Sequence, residues 1–111
     1  MSERRQEKVA TLLKHLAARF IESQSDRTSL ITVTDVELSE DLKYAKIFLS
    51  VYPADKEVVA IGFAKRQERA FRESLKKELR GAFLPRVSFH LDLGEKKRQR
   101  IDELINKAKE Q

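Results

Sequence analysis

The residues best placed to do chemistry in this chain are cations. Lys65, Arg66, Arg69, Arg72, Lys76, Lys77, Arg80 and Arg86 stand in one stretch, interrupted only by the acids Glu68, Glu73 and Glu78. That local excess of +5 equals the net charge of the whole chain, so the rest of the sequence is electrically balanced. At about 100° per residue of helix, Lys65, Arg69, Arg72, Lys76 and Arg80 share one face. Phe71, Leu75, Leu79 and Ala82 fall in a different sector. A helix with an apolar underside and a basic outer ridge is suited to tracking phosphates. The same pattern also fits a solvated helix surface whose Glu–Lys pairs contribute about 0.2–0.5 kcal/mol each. A membrane-surface helix fits less well, because the apolar sector is needed for a core and carries no Trp.

Other reactive groups lack the spacing that catalysis needs. His15 and His90 have no partner at metal-ligand spacing. Three glycines in the entire chain leave no room for a phosphate-cradling Gly-rich loop. Ser39, Ser50, Ser74 and Ser88 sit in no nucleophile-elbow context. Asp35, Glu37, Glu40 and Asp41 form an acidic cluster. Paired carboxylates can do acid–base or metal work, but a charged hairpin rim accounts for these four more simply. The absence of cysteine excludes a disulfide scaffold, a cysteine-ligated zinc and a thiol nucleophile. No enzyme site and no cofactor site is visible, so the chain reads as a binding protein.

The elements that must position the cations follow from periodicity. Val9, Leu12, Leu13, Leu16 and Phe20 recur in steps of three and four, which predicts an amphipathic helix from about Glu3 to Ser23. A polar loop from Ser23 to Arg27 leads into the β-branched run Leu30–Leu38. After the turn Ser39–Leu42, Ala45, Ile47, Leu49 and Val51 alternate with Tyr44, Lys46, Phe48 and Ser50, predicting the second strand of an antiparallel hairpin. Pro53 ends that strand. Helical periodicity returns from about Asp55 to Leu79, with Gly62 its expected weak point, and Gly81 suits a helix C-terminus. Arg86–Asp92 alternates again as a third strand. Ile101, Leu104, Ile105 and Ala108 mark a last helix over 95–111.

The order helix, strand, strand, long helical stretch, strand, helix predicts an α+β domain with helices on one face of a three-stranded sheet. If the long stretch divides in two, this is the α-β-β-α-α-β order of a type II KH domain. A length of 111 residues accommodates one such domain, 1–111, with one core. The chain is 41% hydrophobic and 37% charged, with a pI near 9.6. That combination gives a compact core under a heavily charged exterior, and favours a polyanionic partner. The charged opening Met1–Lys8 leads into no long apolar run, so neither a signal peptide nor a membrane span is expected, and the expected location is the cytoplasm.

The stretch from Ile31 through Thr34-Asp35-Val36-Glu37-Leu38-Ser39-Glu40-Asp41-Leu42 to Ala45-Lys46-Ile47 and Val51 closely resembles the hairpin of the ribosome-binding factor A family. In that family a valine- or isoleucine-rich strand runs into V-x-V-S-x-D-L and then an A-K-V/I strand. Further landmarks fall in the family's order: Arg4-Arg5 with Val9 and Leu12-Leu13, the strand Pro85–Asp92, and the closing Arg100–Ile105. One position departs. Where the family places Ala-x-Gly between its two central helices, Gln67, Glu68 and Arg69 stand here, so a smoother or displaced helix junction is expected.

The resemblance implies a KH-like fold and a non-enzymatic factor of small-subunit assembly. Such a factor binds ribosomal RNA of the immature 30S subunit, assists rRNA end processing and supports growth in the cold. Its expected partners are that RNA and particle, with room for other assembly factors such as a GTPase. A monomer acting away from membranes is expected, using the ridge together with Arg4 and Arg5. Two alternatives from other classes stay open: a KH-like module for single-stranded nucleic acid outside the ribosome, and a protein adaptor working through the acidic hairpin.

Overall fold

The computed structural model describes residues 3–25, 28–79 and 84–94. Within them helix α1 spans Glu3–Gln24, strand β1 Leu30–Leu38, strand β2 Tyr44–Tyr52, helix α2 Glu57–Arg66, helix α3 Glu68–Glu78 and strand β3 Arg86–Leu91. A single 3-10 turn, Ala54–Lys56, follows Pro53 and leads into α2. The sheet order is β1-β2-β3, with β1 antiparallel and β3 parallel to the central β2. A parallel neighbour requires a crossover, and α2 with α3 provides it. The α-β-β-α-α-β order and the α+β class are those expected. The last helix, expected over 95–111, lies outside the described residues, as does Gly81.

The three helices bury one face of the sheet. Leu13, Ala17 and Ile21 of α1 meet Val33 and Val36 of β1, and Ala45, Ile47 and Leu49 of β2. Ala64, Phe71 and Leu75 from α2 and α3 join Val87 and Phe89 of β3 in the same cluster. The buried stripe of α1 therefore runs along Leu13-Ala17-Ile21, whereas Leu12, expected inside, is 43% exposed. Steps of four keep Leu13, Ala17 and Ile21 in line, and the small Ala17 lets helix and sheet approach closely. Phe71 anchors the crossover: its ring centroid lies 5.2 Å from that of Phe20 and 5.7 Å from that of Phe89.

Strict alternation along β1 would send Val33, Asp35 and Glu37 to one face. A bulge between Val33 and Asp35 prevents this. One extra residue shifts the phase, so Val33 and Val36 both enter the core while neither acid does. The Thr34 hydroxyl donates to Asp92 Oδ2 at 2.6 Å, tying the bulge to the end of β3. The hairpin turn is held by Asp41, whose Oδ1 accepts from the Ser39 hydroxyl at 2.8 Å and the Lys43 N–H at 3.0 Å. The Lys43 amide first, and then the Ser39 hydroxyl, hold the Asp41 carboxyl below its ordinary value of 3.8. Asp41 thus serves as a turn cap.

The expected weak point in the long helical stretch is corrected. Gly62 lies inside α2, where an added Cβ would meet nothing nearer than Arg66 Nη1 at 3.5 Å. A glycine in a helix costs about 1 kcal/mol relative to alanine, and α2 continues through it with Ala60 and Ala64 buried on either side. The break falls instead at Gln67.

Candidate nucleic-acid interface

Gln67 closes α2 and opens α3, with φ −91° and ψ −4°. Its N–H donates to the Ala64 carbonyl at 3.0 Å and its own carbonyl accepts from Phe71 N–H at 2.8 Å. A junction at negative φ needs no glycine. The break therefore forms at Gln67 itself, within the Gln67-Glu68-Arg69 stretch where a smoother or displaced junction was expected.

Because the helix breaks there, the ridge expected on one continuous face divides. Lys65 ends on α2, and its Nζ donates to the Phe89 carbonyl at 2.9 Å. Glu68 begins α3, and its Oε2 accepts from the Phe89 N–H at 2.9 Å. One cation and one anion on either side of Gln67 thus close the backbone of the edge strand β3 at Phe89, a common way to blunt a sheet edge. Arg66 points elsewhere, lining a small cleft with Lys56, Thr28, Ile31 and Phe63.

The remaining cations stay together. On α3, Phe71 and Leu75 face the core. Arg69 and Arg72 lie on the flank that turns toward β3, with Lys76 one turn beyond Arg72, and Ser74 and Glu78 line the opposite flank beside α1. Arg86 opens β3, where its N–H donates to the Lys43 carbonyl at 2.7 Å and sets it opposite Tyr44. Arg69, Arg72 and Arg86 consequently line one cleft of about 460 Å³ with Tyr44, Glu68 and Ser88. Arg72 is half-buried, and its Nε is fully enclosed with no acceptor among the described residues. A buried charged donor left unsatisfied is costly. Lys76 Nζ meets Glu73 Oε1 at 3.3 Å on the surface, a pair worth little in water. Lys77 is exposed. Arg5 is exposed on α1, Arg4 lies in its first turn, and Arg80 lies outside the described residues.

Tyr44 was not among the expected contacts, since alternation assigned it only an outward position on β2. Strand register alone reveals it: the residue pairing with the first cation of β3 is an aromatic, 42% exposed. The other reactive groups are accounted for locally. His90 Nε2 lies 2.8 Å from Ser88 Oγ, and its ring is 5.8 Å from that of Phe48 on the sheet face away from the helices. His15 is exposed on α1. Among the described residues no three His, Asp or Glu side chains gather as a metal site, and no helix is long and apolar enough to cross a membrane.

Residues 5–105 match the family model described as ribosome-binding factor A. A relative of that name from Tropheryma whipplei strain Twist is 35% identical over 108 residues, covering 96% of this chain and 55% of its own. The chain thus spans about half the length of that relative. The crystal structure of ribosome-binding factor A from Thermus thermophilus superposes with a TM-score of 0.66 at 27% identity, covering 77% of this chain and 93% of that one. A Thermus thermophilus ribosome binding factor A model fitted into a cryo-EM map of its 30S complex gives a TM-score of 0.58 at 26% identity. It covers 73% of this chain and 88% of its own. The fold shared with these structures is KH-like.

Proposed function

The chain belongs to the ribosome-binding factor A family, and we propose that it is a non-enzymatic, cytoplasmic factor that holds ribosomal RNA of the immature small subunit. On this reading it assists maturation of the particle and processing of the rRNA end, as a monomer working beside other assembly factors such as a GTPase. The single observation carrying the proposal is the convergence of Arg69, Arg72 and Arg86 on one cleft, continued by Lys76 and Lys77 along α3. Cations so arranged on a rigid helix and strand offer phosphates a fixed track. The 30S complex formed by the Thermus relative supports the choice of partner. A KH-like module for free single strands is a poorer match: no GxxG loop stands at Gln67, and Lys65 with Glu68 already occupies the neighbouring strand edge.

Salt dependence tests the proposal. Neutralising about five phosphates should lower small-subunit affinity by roughly two to three orders of magnitude between 50 and 200 mM monovalent salt, from the release of condensed counterions. Filter-binding titrations at several salt concentrations provide the slope. An affinity that hardly changes over that range would remove the phosphate track from the account.

A further inference from the structure

We infer that the cleft between α3 and the start of β3 is a single-nucleotide seat, with an RNA base stacked on Tyr44 and its phosphate held by Arg69, Arg72 and Arg86. The inference rests on the RNA-binding reading above and deepens it, because a track of phosphates by itself requires no aromatic and no pocket.

Three features carry it. The first is convergence from independent elements. Arg69 and Arg72 are three residues apart on one helix flank, while Arg86 and Tyr44 are register partners on neighbouring strands. Arg69, Arg72, Arg86 and Tyr44 therefore line one concavity of about 460 Å³, within the roughly 300–1,000 Å³ of ordinary ligand sites. The second is the Arg72 Nε, enclosed and without an acceptor among the described residues. Buried polar groups are nearly always partnered; enclosed as it is, the Nε gains a charge-assisted phosphate acceptor only when the Arg72 side chain turns outward into the cleft. The third is the fate of the one acid among the described residues of the wall. Glu68 is turned to the Phe89 N–H at 2.9 Å, so its carboxylate is engaged at the strand edge and the arginines outnumber it three to one in the cleft.

Tyr44 converts an anion site into a nucleotide site. The residue is 42% exposed at the rim, and an exposed aromatic beside cations is the usual platform for an unpaired base. Stacking tolerates any base, so the seat selects an unstacked nucleotide rather than a sequence.

The chain has no Trp and two Tyr, which makes the test direct. Tyr52 is 73% exposed, and Tyr52→Phe leaves Tyr44 as the sole tyrosine emitter. Titrating that variant with a single-stranded RNA hexamer should quench its emission, and an abasic ribose-phosphate hexamer should quench it far less. In the wild-type background, Tyr44→Ala should weaken hexamer binding roughly tenfold, the worth of one stacked base. Tyr44→Ala should leave abasic binding unchanged, and Tyr44→Phe should retain both affinities. Unquenched emission at saturating hexamer overturns the inference. So does Tyr44→Ala that binds the hexamer like wild type, or one that loses hexamer and abasic binding equally, since the ring would then only support the arginines. Should Tyr44→Ala fail to fold, the emission titration decides by itself. A neutral Tyr44→Ala sinks the nucleotide seat and leaves the phosphate track standing. Small-subunit binding that survives charge reversal of α3 sinks the RNA-binding reading itself.

Discussion

Converting Arg69, Arg72 and Lys76 together to Glu is expected to abolish co-sedimentation with small subunits. Each cation lost removes a charge-assisted contact worth about 1.5–3 kcal/mol, and each Glu gained repels the same phosphates. The combined loss in affinity is on the order of a thousandfold or more. Arg69 and Lys76 are exposed and Phe71 and Leu75, which hold α3 to the sheet, are untouched, so the half-buried Arg72 alone carries the structural risk. Circular dichroism and a thermal melt separate lost binding from lost structure. Replacing the same three residues by Gln, which removes charge without reversing it, should give an intermediate loss. Full co-sedimentation by the Glu variant would take α3 out of the binding surface.

The largest effect on stability is expected from Phe71→Ala. Phe71 is fully buried and its ring bridges Phe20 on α1 and Phe89 on β3. Truncation removes the contact that three elements share, and such core changes cost about 3–5 kcal/mol. Domains of this size hold only about 5–15 kcal/mol in total, so a fall in Tm of roughly 15 °C or more is expected. Phe71→Leu, which keeps most of the volume, should lose less than half as much. Urea denaturation followed by far-UV circular dichroism measures both. A loss below about 1 kcal/mol for Phe71→Ala, against the cost expected of such a truncation, would mean that α3 is not anchored through this ring. The two predictions are connected, since Arg69 and Arg72 meet Arg86 only while Phe71 keeps α3 against β3.

Much of this arrangement is legible in the residues. The hairpin could be read from the β-branched run before Ser39–Leu42 and the alternation after it, and β1 and β2 form where these place them. Steps of three and four marked α1, although the buried stripe is centred one position further on, at Leu13. That shift depends on Ala17, whose small side chain carries little hydrophobic signal yet sets how closely the helix lies on the sheet. The bulge at Thr34 was not legible, because no glycine or proline announces it. It shows only when Val33 and Val36 both prove to face inward.

The candidate site was legible in its composition and not in its geometry. Local charge alone singled out the stretch from Lys65 to Arg86. Treating that stretch as one helix placed Lys65 beside Arg69, whereas the break at Gln67 assigns Lys65 to the β3 edge and Arg66 to another cleft. A helix break at negative φ leaves no glycine to read. Tyr44 joins the arginines through strand register, a relation between residues far apart in the chain that periodicity cannot reveal.

Fractionation of a lysate on a sucrose gradient tests the central claim most directly. The protein, followed by antibody, should migrate with small-subunit particles and be enriched on their immature forms. It should move to the top of the gradient at high salt, or after the Arg69, Arg72 and Lys76 reversal. A protein that stays at the top of the gradient at low salt, while small subunits migrate normally, would contradict the account.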